Sequence, residues 1–179
     1  MRLKDLFWLS KGLYYSLRYP QISGGRLLKV KGKIYIEGDG KVDFGDNVVL
    51  DGRFGRPVVF RTEGGGKIEL EDSVFINCGT YLSSGSNVIR IGEDSGIGPF
   101  NIILASNHDK ISNSDIKKGV TLGENVLLYS NSKVLPGTKV GDDCVIGAGS
   151  VLPSLDVSEK KLIAGNPGKE IKEIEVLDR

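Results

Sequence analysis

An aliphatic residue recurs at every sixth position between residues 122 and 152, and this period constrains the fold more than any other feature. The positions are Leu122, Leu128, Val134, Val140, Ile146 and Leu152. A period of six fits neither an α-helix, at about 3.6 residues per turn, nor an ordinary strand, whose side chains alternate with a period of about 2. Short tandem repeats of this length are typical of parallel β-helices, in which each coil buries one residue per side.

The same period returns earlier in the chain, out of phase with the main run. These positions are Phe44 and Leu50, then Leu70, Ile76 and Leu82, then Ile91, Ile97 and Ile103. Three sides of six residues predict an 18-residue coil, stacked on the next coil at about 4.8 Å. The alternative, a β-sandwich, would space its turns about 8–12 residues apart, so the pattern favours an all-β solenoid.

Small or acidic residues often follow the inward aliphatic residue. They are Gly45, Asp51, Glu71, Asn77, Gly92, Gly98, Gly123, Gly141 and Gly147. Glycine reaches positive φ without strain, and Asn or Asp tolerates it, so these positions are predicted to turn the corners of the coil. The high share of glycine, 25 of 179 residues, agrees with a fold rich in corners.

Length and cysteine content narrow the class of protein. A chain of 179 residues is one domain by size and can bury a substantial core. Its two cysteines, Cys78 and Cys144, occupy small-residue positions of the repeat and are predicted to be packed thiols, not a disulfide or a metal pair. No cleavable signal sequence or long apolar run is evident, which predicts a cytoplasmic protein.

The N-terminal region is strongly basic. Residues 1–33 contain eight Lys or Arg against the single acid Asp5, a net charge of +7. Leu3, Leu6, Phe7 and further apolar residues recur at helical spacing, and Pro20 should end the helix, so residues 3–18 are predicted to be helical. Two roles remain open: a cap or subunit contact at the first coil, or peripheral contact of residues 1–18 with the inner face of an anionic membrane.

These patterns divide the chain into three parts. Residues 1–33 form a basic amphipathic helix with a lead-in, residues 34–155 form the repeat, and residues 156–179 form a C-terminal segment. The repeat is interrupted by a polar loop at residues 109–119. Loops that project from a rigid scaffold are where function tends to lie.

The chain contains one histidine, His108, and it lies at the start of this polar loop. Histidine is the side chain whose ordinary pKa lies nearest neutrality, so its placement predicts an acid–base role. A single histidine excludes a zinc site built from three different histidines, and no metal is expected. No Ser-His-Asp order and no phosphate-binding glycine loop is evident.

Five motifs in order carry a specific resemblance. They are Asn107-His108-Asp109, Leu122-Gly123-Glu124-Asn125-Val126, Pro136-Gly137-Thr138-Lys139-Val140-Gly141, Val145-Ile146-Gly147-Ala148-Gly149-Ser150-Val151 and Ala164-Gly165-Asn166-Pro167-Gly168-Lys169. Together they resemble the hexapeptide-repeat acyltransferases, most of all the sugar and polysaccharide O-acetyltransferase branch. The resemblance covers residues 88–174 clearly, residues 34–82 only as repeats, and residues 1–33 hardly at all.

The resemblance implies a left-handed parallel β-helix, here with short N-terminal and C-terminal helices, assembled as a homotrimer with active sites between subunits. It implies that His108 is the general base and that acetyl-CoA is the acyl donor. Asn77, Asn107 and Asp109 then belong to the acceptor side of the site.

The coenzyme contacts implied by the resemblance fall on a few small residues and two lysines. They are Ser130, Ala148, Pro153, Ser154, Lys169 and Lys172. The small residues would let the pantetheine arm lie along the coils. Lys169 and Lys172, on a helix predicted at residues 168–177, would meet the coenzyme's phosphates; a solvated helix face is the alternative.

Two departures from the family pattern bear on the site. Tyr129 stands where the family usually has glycine, beside the expected position of the thiol. Gly79 stands where the sugar acetyltransferases have an asparagine that assists at the acetyl group, although Asn77 is retained.

The sequence therefore predicts transfer of an acetyl group from acetyl-CoA to a hydroxyl of a saccharide, in capsule, exopolysaccharide or lipopolysaccharide synthesis, on an acceptor that could be lipid-linked. One alternative is a small soluble acceptor such as serine, a free sugar or an antibiotic. Another is a non-catalytic trimeric scaffold in which Tyr129 and Gly79 have closed the site. No nucleic-acid partner is expected, because the basic region is short and contains no recognised module.

Overall fold

The chain is a left-handed parallel β-helix with an N-terminal helix, as the sequence predicts. The structure is a computed structural model, and it describes residues 3–106 and 119–175. Over these residues helix α1 (Leu3–Arg18) is followed only by strands, which stack into three sheets that are parallel except for the final β20–β21 pair. The chain visits the sheets in turn, so each coil contributes one strand to each sheet.

The strands of each sheet follow one another in stacking order. The first sheet contains β1 (Ile22–Gly24), β4 (Lys41–Phe44), β7 (Lys67–Leu70), β10 (Val88–Ile91), β13 (Val120–Leu122), β16 (Lys139–Val140) and β19 (Asp156–Val157). The second contains β2 (Lys29–Gly32), β5 (Val49–Gly52), β8 (Phe75–Ile76), β11 (Gly96–Ile97), β14 (Leu127–Leu128), β17 (Val145–Ile146), β20 (Lys161–Gly165) and β21 (Gly168–Glu173). The third contains β3 (Ile34–Gly38), β6 (Val58–Thr62), β9 (Tyr81–Gly85), β12 (Ile102–Leu104), β15 (Lys133–Val134) and β18 (Val151–Leu152).

Every aliphatic position of the six-residue period lies in the core. Leu122, Leu128 and Val134 end β13, β14 and β15, and each is fully buried. Leu122 pairs with Val140 of the next coil, which is the predicted 18-residue step. The earlier coils are longer, because residues inserted at the corners break the period without displacing the inward side chains.

Three corners connect the sheets. The first corner joins the first sheet to the second, the second corner joins the second sheet to the third, and the third corner returns to the first sheet of the next coil. Glycine was predicted at the start of the corners because it can adopt a positive φ, and this reason is wrong. Gly92 has no positive φ; instead a Cβ there would lie 2.5 Å from the backbone carbon of Gly123 in the next coil. Close stacking of the coils excludes a side chain.

Positive φ falls two residues further along most corners. Examples are Asn47, Ser73, Asp94, Asn125 and Asp143 at the first corner, each three residues after an inward aliphatic residue. Several of these residues are Asn or Asp, the non-glycine types that tolerate this conformation best. Glycine at the start of a corner thus leaves room for the backbone of the next coil, whereas Asn or Asp two residues later adopts the positive φ of the turn.

The C-terminal helix predicted at residues 168–177 is wrong. Residues 168–173 form strand β21, which pairs antiparallel with β20 around a turn at Asn166-Pro167. Strand β20 would otherwise be the open edge of the second sheet, and β21 supplies the hydrogen-bond partners for that edge. Tertiary pairing overrides the local helical preference of a segment rich in Lys and Glu.

Both cysteines are free thiols, as predicted. Cys144 is fully buried at the first corner, where its sulfur lies 3.2 Å from the carbonyl oxygen of Ser158. Burial raises the pKa of the Cys144 thiol, so it remains protonated and packs as a small apolar side chain.

Candidate functional site

Three predicted site residues, Asn107, His108 and Asp109, lie outside the described residues. The described ends of this segment are Ser106 and Gly119, and both lie at the third corner. A Cβ on Gly85 would come within 2.6 Å of the Cβ of Ser106, and Gly137 donates a backbone hydrogen bond of 2.9 Å to the carbonyl of Gly119. The described residues on either side of the polar loop therefore lie at the same corner.

Two of the predicted coenzyme contacts come together at the second corner. Ser130 and Ala148 occupy equivalent positions in consecutive coils, since Leu128 pairs with Ile146. Gly149, next to Ala148, donates a backbone hydrogen bond of 2.9 Å to the carbonyl of Ser130. Ser130 is half-buried and Ala148 is exposed, so this corner presents a narrow strip of small residues to solvent.

Buried hydroxyls hold the second corner rigidly. The hydroxyl of Ser150 donates to the carbonyl of Gly147 at 2.6 Å, and Ser132 donates to the same carbonyl at 3.1 Å. Gly165 donates its backbone N–H to the Ser150 hydroxyl at 3.2 Å. These bonds tie the corner to the β20–β21 hairpin.

The other two small residues, Pro153 and Ser154, lie elsewhere. They follow β18 at the third corner, across the third sheet from Ser130 and Ala148. Both are exposed. A single chain therefore divides the predicted coenzyme contacts between two corners. Ser106 and Gly119, which flank the segment containing His108, lie at the same corner as Pro153 and Ser154.

Lys169 and Lys172 lie on one face of the β20–β21 hairpin, although their three-residue spacing would put them on opposite faces of a regular strand. Lys169 pairs with Ala164, and Lys172 pairs with Leu162. A bulge at this point leaves Ile171 without a partner and restores the shared face. The bulged strand therefore places the two lysines on one face, as the predicted helix would also have done.

The strip of small residues leads directly to these lysines. Tyr129, Gly147 and Ala164 are stacked at the start of the second corner in successive coils. A Cβ on Gly147 would lie 3.2 Å from that of Ala164, which in turn pairs with Lys169. Lys169 thus lies at the end of the second corner.

Tyr129 stacks between two glycines. Gly98 precedes it in the stack and Gly147 follows it, so neither stacked neighbour in the corner carries a side chain. Its side chain is 54% exposed. Within one chain, Tyr129 therefore interrupts the strip of small residues at one coil.

Asn77 lies further along the same corner, two coils before Tyr129 and so about 10 Å away. Its backbone N–H donates to the carbonyl of Ile97 at 2.9 Å, and its side-chain oxygen accepts from the N–H of Cys78 at 2.8 Å. The corner therefore presents Asn77, Tyr129 and Ala148 along one edge of the solenoid.

The ring of Phe100 occupies the space next to Gly79. Gly79 has a φ of +70°, and a Cβ there would lie 2.5 Å from Cδ1 of Phe100. An asparagine at this position would meet the ring, which gives a physical reason for the departure from the family pattern. Phe100 is itself partly exposed and has a φ of +60°.

An aromatic and basic cluster at the second corner was not predicted. It consists of Arg53, Phe54, Arg56 and Phe100. The guanidinium carbon of Arg53 lies 5.4 Å from the Phe54 ring, and that of Arg56 lies 5.8 Å from the Phe100 ring. Gly79 connects the cluster to Asn77, since it donates its N–H to the carbonyl of Arg56 at 3.1 Å. The available sequence signal was Arg-Phe-Gly-Arg in an interruption of the repeat.

Asp51 fixes one arginine of this cluster. Its two carboxylate oxygens accept hydrogen bonds of 2.8 and 2.7 Å from Arg53. The pKa of the Arg53 guanidinium is raised, first by this hydrogen bond and then by the charge of Asp51. Phe54 beside it is 83% exposed, so a flat apolar ring and one fixed cation face solvent together.

The corner thus offers backbone, hydroxyl, aromatic and cationic groups to a ligand. Among residues 3–106 and 119–175, no group of three His, Cys, Asp or Glu side chains is placed to hold a metal ion.

A family model described as "Bacterial transferase hexapeptide (six repeats)" matches residues 119–154. A curated protein of Escherichia coli K12, named "Putative lipopolysaccharide biosynthesis O-acetyl transferase WbbJ", is 33% identical over 158 residues. That alignment covers 77% of this chain and 74% of the E. coli protein.

Solved structures share the fold. AntD, an N-acyltransferase from Bacillus cereus crystallised with dTDP and coenzyme A, superimposes with a TM-score of 0.73 at 20% identity, covering 92% of this chain and 89% of AntD. NeuO, a polysialic-acid-specific acetyltransferase, gives a TM-score of 0.58 at 20% identity, covering 90% and 84%. At this identity the similarity concerns the fold alone.

Proposed function

Because the chain belongs to the hexapeptide-repeat transferases and is an acetyltransferase, we propose that it transfers an acetyl group from acetyl-CoA to a hydroxyl of a saccharide, with His108 as general base. The observation that carries this proposal is the strip of small residues at the second corner, which ends at two lysines on one face of a hairpin. The named functions of WbbJ and NeuO support a saccharide acceptor.

The donor lies along the second corner. Ser130 and Ala148 leave room for a flat pantetheine arm, and their exposed backbone supplies hydrogen-bonding groups. Lys169 and Lys172 lie at the end of this strip and attract the coenzyme's phosphates. Coenzyme A in the crystal structures of AntD agrees with such a donor.

The reaction needs one base and no covalent intermediate with the enzyme. His108 takes the proton of the acceptor hydroxyl as its oxygen attacks the thioester carbonyl, and the tetrahedral intermediate then expels the coenzyme A thiolate. The imidazolium returns the proton to that thiolate, leaving the acetyl ester and free coenzyme A. A positioned general base contributes typically about 10²–10⁴-fold.

The division of the candidate residues between two corners supports a homotrimer. The second corner carries Asn77, Ser130 and Ala148, whereas the third corner carries Pro153, Ser154 and the ends of the His108 loop. In a closed ring of three chains every interface joins two different surfaces, so the second corner of one chain can meet the third corner of its neighbour. The two halves of the site then meet between subunits.

The aromatic and basic cluster supplies the acceptor end of this interface. The exposed face of Phe54 suits the C–H faces of a sugar ring, and Arg53 and Arg56 suit carboxylate or phosphate groups on the saccharide. Asn77 lies between this cluster and Tyr129, and with Asn107 and Asp109 it belongs to the acceptor side.

The test is a kinetic comparison of His108→Ala with Ser112→Ala, a control substitution in the same loop, using acetyl-CoA and a panel of acceptors. We expect His108→Ala to remain trimeric, to bind acetyl-CoA and to lose about 10²–10⁴-fold in kcat, while Ser112→Ala remains near normal. The panel compares acidic oligosaccharides with serine, free sugars and antibiotics.

Near-normal turnover in His108→Ala would refute the base. If only the small soluble acceptors are acetylated, the acceptor is a small molecule and not a polysaccharide. Absence of acetyl-CoA binding by the intact trimer would favour a scaffold in which Tyr129 closes the site.

A further inference from the structure

Helix α1 packs against the solenoid through the side that carries Lys11, Gly12 and Tyr15. Gly12 lies against the carbonyl of Leu28, and Lys11 donates from Nζ to the carbonyl of Gly32 at 2.7 Å. Tyr15 packs against the core from the same side. The helix therefore covers part of the first coil, in agreement with a capping role.

The opposite side of α1 is apolar and exposed, which capping does not explain. Successive side chains at helical spacing share this face. They are Leu6, Phe7, Leu13, Tyr14 and Leu17, each more than half exposed. Leu17 reaches 80% exposure. Contiguous apolar patches of this kind mark interaction sites on soluble proteins.

A depression opens beside the N-terminal half of this face, where Trp8 of the packing side also contributes. Leu6, Phe7 and Trp8, with Lys4 and Ser10, line this open depression of about 560 Å³. Phe7 and Trp8 meet edge to face, with ring centroids 4.9 Å apart. Aromatic side chains with an apolar body and a polar edge favour the boundary between water and lipid.

Basic residues run along one edge of the apolar face. Lys4 and Arg18 are fourteen residues apart, so they lie above one another on the helix. Lys11 lies between them, but its Nζ is held by the carbonyl of Gly32. Lys29 and Lys31 extend outward from β2, the strand against which α1 packs. Arg26, in contrast, is paired with Asp46 at 2.5 Å.

We propose that α1 lies in the plane of an anionic lipid bilayer, with its apolar face among the acyl chains and its basic edge at the lipid headgroups. A helix with a charged edge beside an apolar face is the form that binds membrane interfaces. Within residues 3–106 and 119–175 no helix is both long and apolar enough to cross a bilayer.

Charge selects lipid over a second copy of this chain as the occupant. Residues 1–33 carry a net charge of +7, so pairing two such segments face to face would bring like charges together. An anionic surface instead attracts each Lys or Arg near it. The proposal does not depend on acetyl transfer, since it rests on α1 and its surroundings alone.

Co-sedimentation of the full chain with lipid vesicles tests the proposal. The vesicles contain phosphatidylcholine alone or phosphatidylcholine mixed with phosphatidylglycerol. We expect partitioning into the anionic vesicles to exceed that into neutral ones by roughly tenfold or more, and to weaken as salt is added.

Three variants assign the contact to α1. Leu13→Ser/Leu17→Ser and Lys4→Ser/Arg18→Ser should each lower anionic partitioning by roughly tenfold. Phe54→Ser removes an apolar side chain that is 83% exposed on the solenoid. This variant should leave partitioning into anionic vesicles unchanged. Circular dichroism and sedimentation velocity establish that each variant keeps its fold and assembly state.

The proposal is overturned if the full chain does not bind anionic vesicles, or if the α1 variants bind them as well as the wild type does. Loss of oligomers in Leu13→Ser/Leu17→Ser, without a change in partitioning, would assign the face to a second copy. Loss of partitioning with acetyl transfer to soluble acceptors intact would support the membrane contact and leave the proposed function untouched.

Discussion

Gly12 of α1 lies so close to Leu28 of the first coil that a Cβ on the glycine would collide with the carbonyl oxygen and lie 2.9 Å from the carbonyl carbon. This contact sets the distance between the helix and the solenoid. It also determines which side of α1 faces the coils, and therefore leaves the apolar side exposed.

Gly12→Ala is expected to destabilise the docked helix by about 1–3 kcal/mol, because the backbone of Leu28 cannot move without shifting the first coil. The intrinsic helix preference of alanine, about 1 kcal/mol over glycine, opposes part of this loss. Thermal unfolding followed by circular dichroism measures the difference. Ser10→Ala, on the exposed side of the same helix, should stay within about 0.5 kcal/mol of the wild type; equal behaviour of the two variants would show that α1 is not held by this contact.

Gly79→Asn is expected to lose about 1–3 kcal/mol of unfolding free energy, since the new side chain meets the ring of Phe100. Asparagine tolerates positive φ, so backbone strain contributes little. In a Phe100→Ala background the same substitution should cost less than about 0.5 kcal/mol, because the obstacle has gone. Denaturant unfolding of the four proteins in this double-mutant cycle measures the coupling, and equal costs in both backgrounds would exclude the steric explanation.

Glu69 should make the solenoid sensitive to acid. Lys67 lies 2.6 Å from one of its carboxylate oxygens and Arg90 donates to the other at 2.8 Å, so the pKa of Glu69 is lowered, first by the hydrogen bond from Lys67. A carboxyl with a lowered folded-state pKa stabilises the fold above its usual value of 4.5, and this stability is lost as the pH falls through the folded-state pKa. Glu69→Gln should therefore lose about 1 kcal/mol at pH 7, a value reduced by the solvent exposure of its partners, and approach the wild type in acid.

Glu93 supplies a control, because its pKa is shifted in the opposite direction to that of Glu69. Its pKa is raised, first by lost hydration and then by neighbouring carboxylates including Asp94 and Asp72. Neutralising it should not weaken the fold at pH 7. Urea unfolding across a pH series compares Glu69→Gln with Glu93→Gln, and a loss in both variants would contradict the assignment.

The inward side of the fold could be read from the sequence because each side of a regular coil buries an aliphatic residue at the same place in the repeat. Leu122 and Val140 occupy the core for this reason, and the same step placed Ser130 and Ala148 at one corner. Their spacing of 18 residues equals one regular coil. The stacked relationship of Tyr129 to Gly98 was harder to predict, because the polar loop between them lengthens the coil.

The features that were missed depend on contacts between coils. The room required at Gly92 is set by the backbone of Gly123, 31 residues later in the chain, and no local pattern encodes it. The segment containing Lys169 and Lys172 has a helical composition, yet the open edge of β20 selects a strand. Phe54 and Arg56 lie in an interruption of the repeat, where the period no longer assigns a position.

The central claim is that the strip of small residues and the lysines beyond it bind acetyl-CoA. Isothermal titration calorimetry of the full chain with acetyl-CoA tests it, beside Lys169→Glu/Lys172→Glu. A second variant, Lys41→Glu/Lys139→Glu, makes the same change in net charge on the outer face of the first sheet. We predict roughly micromolar binding by the wild type and by the first-sheet variant, and binding at least about tenfold weaker in Lys169→Glu/Lys172→Glu. Absence of binding by the wild type, or equal binding by all three proteins, would contradict the account.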